Sequence, residues 1–232
     1  MKIGIEIVCR HNSTRFKGKI LYKINGKTVL DTIVDRIKQK LPCHPIVVAT
    51  SNENSDDIIF EHCHERGLDV FRGDLDDVGG RLLKCAKHYK WDYFVRINGD
   101  NIFVDVESLK EMSKNATQNK LNFVTNVPSR TFPFGMSVEI LNTGFYEDIY
   151  ESGKLTKEDK EHVTRWLYSN LNAGSFIEYK NDRYKHINGK KLALDSREDL
   201  CLINDIVRFT DKPITDVTLK DIDNFFRVHK KY

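Results

Sequence analysis

Two sets of charged residues could do chemistry in this chain: a cluster of cations in one short loop and a pair of carboxylates far apart in sequence. The loop is Cys9 to Lys19, C-R-H-N-S-T-R-F-K-G-K, which packs Arg10, Arg15, Lys17 and Lys19 around small polar residues. It follows a β-branched apolar run, Ile3 to Val8, so the spacing predicts a buried strand that stops at a turn with unpaired backbone N–H groups. Fixed cations beside such donors form a cradle for a polyphosphate. Neither G-x-G-x-x-G nor G-x-x-x-x-G-K-[ST] is present, so the loop relies on side-chain cations rather than on a glycine-rich phosphate grip.

The carboxylates are Asp100 and Asp195. Asp100 closes Arg96-Ile97-Asn98-Gly99-Asp100 after the run Tyr93 to Ile97. Beside Gly99 it can approach a Mg2+ that bridges phosphate oxygens, or it can serve as a turn or helix-capping aspartate. Asp195 ends Leu192-Ala193-Leu194, read as a short apolar strand, just before a helix that Ser196 and Asp199 cap as a box. The Asp195 carboxylate is then left to face a cation. Arg130-Thr131-Phe132-Pro133-Phe134-Gly135 puts an arginine beside two aromatics on a proline-set backbone, which suits either an anionic acceptor or a hairpin at a dimer contact.

The elements that must position these residues alternate in βαβα rhythm. Strand-like runs at Ile3 to Val8, Ile46 to Ala49, Val70 to Phe71 and Tyr93 to Ile97 are followed by helical patterns at Val29 to Leu41, Asp56 to Arg66, Val78 to Tyr89 and Asp105 to Thr117. Val29, Leu30, Ile33, Val34, Ile37 and Leu41 share one helix face, with Thr28 and Asp31 as its capping box. After Leu121 come strand-like Asn122 to Asn126 and Met136 to Leu141, then helices over Thr143 to Glu151 and Lys157 to Asn170. The expected fold is α/β, a mostly parallel mixed sheet with flanking helices, continuous over residues 1–232. In such sheets ligands sit beyond the carboxyl ends of the strands, where the basic loop and Asp100 both fall.

With 37 Lys and Arg against 34 Asp and Glu, the formal charge is only +3, and no basic stripe interleaves with aromatics. Nucleic-acid binding is therefore not expected. No apolar run reaches transmembrane length and no signal-peptide pattern opens the chain, so a cytoplasmic protein without a membrane partner is expected. Cys9, Cys43, Cys63, Cys85 and Cys201 are widely spaced with no C-x-x-C pair, which reads as reduced thiols. His62-Cys63-His64 diverge around a helix and cannot converge on one ion.

Taken in order, further segments join these motifs. They are Val48-Ala49-Thr50-Ser51, Val70-Phe71-Arg72-Gly73 with Asp76-Asp77-Val78 and Arg81, Arg130 to Glu139, and Glu161-His162-Val163-Thr164. Together they resemble the cytidylyltransferases of cell-surface glycan biosynthesis, most closely the spore coat polysaccharide SpsF-like branch. Acylneuraminate and 3-deoxy-manno-octulosonate cytidylyltransferases are more distant. The resemblance, which spans residue 3 to about residue 207, implies a nucleotide-diphospho-sugar transferase (GT-A-like) fold. It also implies transfer of CMP from CTP to a small anionic acceptor, with Mg2+ and release of pyrophosphate, in a homodimer.

Carried over position by position, the resemblance makes Arg10, Ser13, Arg15 and Lys19 phosphate-loop residues and Asp100 and Asp195 metal ligands. It places Asp77, Arg81 and Asn98 on the nucleotide side, and Arg130, Phe132, Glu139 and His162 on the acceptor side. The family's A-R-x-x-S-[ST]-R-L-P-G-K departs here at Lys17, which replaces proline. Asn98 and Gly79-Gly80 depart on the base side. A GT-A glycosyltransferase shares the sheet but usually carries D-x-D, where this chain has Asn98-Gly99-Asp100. A non-catalytic nucleotide-binding protein would be expected to lack one of the two aspartates. A Rossmann oxidoreductase needs the missing glycine fingerprint.

Overall fold

A computed structural model describes residues 1–13 and 15–230; Thr14 of the basic loop lies outside the described residues, with Lys231 and Tyr232. The chain runs β1 (Ile3–Val8), a hairpin of β2 (Lys23–Ile24) and β3 (Lys27–Thr28), α1 (Val29–Lys40), β4 (Ile46–Ser51), α2 (Asp57–Glu65), β5 (Asp69–Gly73), α3 (Val78–His88), β6 (Tyr93–Asn98) and α4 (Val106–Gln118). The second half adds β7 (Phe123–Thr125), β8 (Glu139–Asn142), α5 (Thr143–Glu151), α6 (Lys157–Glu161), α7 (Arg165–Ser169), β9 (Phe176–Glu178), α8 (Arg197–Thr210) and α9 (Leu219–Val228).

Seven strands form one sheet in the order β5-β4-β1-β6-β8-β7-β9. Only β8 runs against the others. From β1 the chain crosses to β4 and β5 on one side and then returns to place β6 on the other, so the order reverses between β1 and β6. That reversal opens a crevice beyond their carboxyl ends. Because β8 is antiparallel, its first residue, Glu139, lies opposite Arg96 near the carboxyl end of β6.

The local chemistry follows the sequence. β4 is buried on both faces, as a central parallel strand requires. Helix α1 buries Val29, Leu30, Ile33, Val34 and Ile37, each worth about 1.5–3 kcal/mol when fully removed from water. Its Thr28 cap accepts from the Asp31 N–H at 3.0 Å, but no reciprocal bond closes a box. The Asp31 carboxylate turns instead to His62 and Arg66. At α8 the Ser196–Asp199 box is complete in both directions.

Two further expectations fail. Lys157 to Asn170 is not one helix: α6 and α7 are separated at His162–Thr164, where Val163 adopts a left-handed φ of 43°. The segment before α8 is not a sheet strand either. It is held by one bridge, Phe134 to Lys191, by Leu192 N–H donating to Phe134 O at 2.7 Å, and by Leu194 N–H donating to Asp100 O at 3.3 Å. Gly135 permits this approach. Its φ is 90°, and a Cβ there would lie 2.2 Å from the Ala193 nitrogen.

Candidate active site

The basic loop leaves β1 at Cys9 and closes on itself, because His11 O accepts from both Ser13 N–H and Gly18 N–H at 2.9 Å. A buried carboxylate, Asp56, anchors it to β4. Asp56 accepts from His11 N–H at 2.7 Å, from the Thr50 hydroxyl at 3.0 Å and from Ser51 through both backbone N–H and hydroxyl. Burial pushes the Asp56 carboxyl up, but the bonds from Ser51, His11 and Thr50 outweigh it and hold the group below the usual carboxylate range.

Arg10, Ser13, Arg15 and Lys19 line a cavity of about 250 Å3, together with Arg81, Asn98 and Asp100. Gly99 donates its N–H to Val8 O at 2.8 Å, and a Cβ at this position would meet the Cys9 Cβ at 2.7 Å. A glycine is what lets the ends of β1 and β6 close together under the cavity.

Asp100 and Asp195, 95 positions apart in the numbering, meet on one cation. Lys19 Nζ lies 3.2 Å from Asp100 Oδ2 and 2.9 Å from Asp195 Oδ1, with all three side chains largely buried. Arg15 adds a contact of 3.0 Å to Asp195 Oδ2, and Lys191 stands 3.8 Å from the same oxygen. Asp195 is not itself part of the cavity lining and sits behind Lys19 and Arg15. Two carboxylate groups that already share a monovalent cation form a donor set suited to a hard divalent ion, whose remaining ligands would be phosphate oxygens and water.

A second cavity, of about 460 Å3, adjoins the first. Arg96, Asn98 and His162 line both. Arg130, Glu139, Thr164, Arg165 and Tyr168 belong to the second alone. The break between α6 and α7 delivers His162 and Thr164 to it, so the helix interruption has a positional role here.

Three of the expected contact residues stand elsewhere or are engaged. Asp77 does not line the cavity: it caps α3, accepting from Gly80 N–H at 2.9 Å and from the Tyr150 hydroxyl. Phe132 is buried and packs near Tyr179 at another hollow, leaving the exposed Phe134 to stack under the Arg130 guanidinium at 4.3 Å. Glu139 lines the second cavity with both oxygens engaged: Oε2 accepts from Arg96, and Oε1 accepts from Thr164 at 2.5 Å and Tyr168 at 2.6 Å. Arg81 does line the cavity, buried, with one terminal nitrogen donating to Asp74 O at 2.9 Å.

Residues 5–219 match the sequence model of a family described as Cytidylyltransferase. The chain belongs to the cytidylyltransferase family. It is 30% identical to the spore coat polysaccharide biosynthesis protein SpsF of Bacillus subtilis over 205 residues, 83% of this chain and 81% of that protein. It is also similar to the structure of a cytidylyltransferase from Leptospira borgpetersenii, with a TM-score of 0.90 at 29% identity, covering 100% of this chain and 96% of the other. The CMP:2-keto-3-deoxy-manno-octonic acid synthetase solved with CTP shares the fold, at a TM-score of 0.67, 14% identity and coverage of 90% and 99%.

In this cytidylyltransferase Asp56, Arg96 and Tyr168 support or line the site although no motif in the sequence assigns them a role. Asp56 carried a signal, since Thr50-Ser51 after an apolar strand and an aspartate five residues later form a closed acceptor set. Arg96 carried a weaker one: a charged residue inside a run of five otherwise apolar or aromatic strand positions needs a partner when buried. Nothing in the sequence marks Tyr168.

Proposed function

We propose that this cytidylyltransferase transfers CMP from CTP to an anionic sugar, sugar phosphate or phosphonate used in surface-glycan biosynthesis, releasing pyrophosphate. An acceptor oxygen forms a bond to the α-phosphorus while the bridging oxygen to the β-phosphorus leaves with pyrophosphate. The observation that carries this reading is the pair of adjoining cavities, one lined by phosphate-type cations and the other by Arg96, Arg130, Arg165 and His162, meeting at three shared residues.

Arg10, Arg15 and Lys19 hold the β- and γ-phosphates, the arginine forks fixing direction and the lysine acting as a point charge. Asp100 and Asp195 would hold Mg2+ arriving with the triphosphate, and that ion would supply charge neutralisation at the α-phosphate. Asn98 and Arg81 face the nucleotide. The protein's own contribution is alignment and charge balance, which phosphoryl-type transfers chiefly require. An acceptor that attacks as a phosphate or phosphonate anion needs no general base. No helix among the described residues is long and apolar enough to cross a membrane.

The test is pyrophosphate release with CTP, UTP and ATP against a panel of acidic sugars, sugar phosphates and phosphonates. CTP with at least one panel member should support turnover. Arg15→Ala and Asp195→Asn should each lower it by about 100-fold or more while remaining folded. Wild-type rates in both variants would remove the assignment.

A further inference from the structure

Five strands present a transverse row of residues in register beneath the junction of the two cavities. Val47 of β4 pairs with Glu6 of β1, Glu6 with Arg96 of β6, Arg96 with Glu139 of β8, and Glu139 with Thr125 of β7. Paired residues on neighbouring strands project to one face of the sheet. Arg96 is therefore flanked by a carboxyl on each side, and the two differ. Glu139 bonds to it and is itself held by Thr164 and Tyr168, while Tyr168 reaches Thr125 at 3.0 Å. Glu6 is fully buried beside the Cys85 thiol and Arg81, and burial pushes its carboxyl well above the usual carboxylate range. Of the two, Glu139 is the carboxylate that Arg96 bonds.

Arg96 itself is not satisfied. Of five N–H donors, one is engaged by Glu139, and the buried Nε has no partner among the described residues. Of the other two arginines of the second cavity, Arg165 has two carboxylate partners, Asp159 at 2.8 Å and Glu158 at 2.9 Å, and Arg130 an aromatic one, the Phe134 ring. Among the three residues that line both cavities, Arg96 is the one permanent cation.

We propose that Arg96 is the specificity-determining contact of the transfer: its guanidinium binds the acceptor's anionic group and aligns the acceptor with the α-phosphate, and Glu139 is its positioning residue, not an acceptor contact. The inference rests on the CMP-transfer reading and adds to it the group that brings the two substrates together. Glu139, fixed by two hydroxyls, sets the plane of the guanidinium, and the unengaged donors face whichever anion arrives. A buried cation in this state should bind a planar or tetrahedral oxyanion through two parallel bonds.

The experiment uses the full chain and needs no turnover. A non-hydrolysable α,β-methylene CTP is titrated calorimetrically into wild type, Arg96→Met, Arg96→Lys and Glu139→Gln. N-acetylneuraminate, 3-deoxy-manno-octulosonate and glycerol 3-phosphate are then titrated into each loaded protein. The anion that binds wild type best should bind Arg96→Met about 30-fold more weakly, with Arg96→Lys intermediate because it keeps the charge and loses the fork. Because Arg96 also lines the first cavity, nucleotide affinity should fall too, but by several-fold less than anion affinity. Glu139→Gln keeps the volume and should weaken the anion several-fold with the same nucleotide affinity. A purely structural ion pair would instead lower the melting temperature and leave anion affinity unchanged, and that result in Arg96→Lys and Glu139→Gln overturns the proposal even if Arg96→Met fails to fold. Failure of wild type to bind the CTP analogue would sink the underlying function. Nucleotide binding with no anion binding at all would sink the role of Arg96 and leave CTP recognition standing.

Discussion

Replacing Lys19 by methionine tests the central geometry. The ammonium stands 3.2 Å from Asp100 and 2.9 Å from Asp195, whose side chains are 21% and 9% exposed. Removing it leaves two carboxylates no more than about 6 Å apart without their shared counter-ion, and at an effective dielectric near 20 each lost contact is several kcal/mol of attraction before desolvation is counted. Removing one partner of a buried pair typically costs about 3–5 kcal/mol. Arg15 and Lys191 still flank Asp195, and Asp100 is partly solvated, so the expected loss is about 2–3 kcal/mol. In a chain of 232 residues that corresponds to roughly 5–10 °C in Tm. The assay is thermal unfolding of wild type and Lys19→Met in chelator and again in millimolar Mg2+. The variant should melt lower in chelator and recover with Mg2+, because the divalent ion replaces the missing charge, while wild type responds little. Equal melting in chelator, or equal metal responses in both proteins, would show that the carboxylates do not depend on a common cation.

Three other outcomes are expected. Folded Glu6 keeps its proton to higher pH than the unfolded chain, because burial outweighs the opposing pull of Cys85 and Arg81. Its contribution is therefore full below about pH 4.5 and declines as pH rises, and Glu6→Gln should gain stability over wild type by up to about 1.4 kcal/mol per pH unit in that window. Urea-unfolding curves that stay parallel from about pH 5 to pH 8 would contradict this. Asp56→Ala strips the acceptor from His11, Thr50 and Ser51 and should cost about 3 kcal/mol while weakening CTP binding about tenfold. Because the folded Asp56 carboxyl is held low, the stabilisation it gives is present above its ordinary value of 3.8 and fades as pH falls through the folded value; a stability difference from wild type that does not shrink in acid would refute it. Gly135→Ala forces a left-handed alanine against Ala193 and should displace Asp195 indirectly, lowering pyrophosphate release without touching a charged group; unchanged turnover would mean that the 133–136 loop does not set the Asp195 position.

The parallel half is the readable half. Ile3–Val8, Ile46–Ser51 and Tyr93–Asn98 are nearly continuous apolar runs because both faces of a central parallel strand are covered, and the cations and Asp100 fall at their ends. The acceptor half resists because its geometry comes from long-range contacts. The helical pattern over Lys157 to Asn170 conceals the reversal at Val163, and Leu192 to Leu194 looks like a strand although Phe134 and Asp100, not the sheet, hold it. Asp77 shows a limit of composition: an aspartate before a helix is equally a cap and a ligand until its neighbours are known, and here Gly80 and Tyr150 decide it. Glu139 shows another, since a buried carboxylate facing a cavity can serve the ligand or serve an arginine.

Among the described residues the two cavities share three and hang on different supports: the first on the parallel core around β1 and β6, the second on the 127–138 loop and the turn at Val163. Substitutions in those peripheral segments can therefore reshape the second cavity while the first keeps its lining. Arg96 stands at the seam, on a core strand yet lining the cavity whose other walls are loop and helix turns.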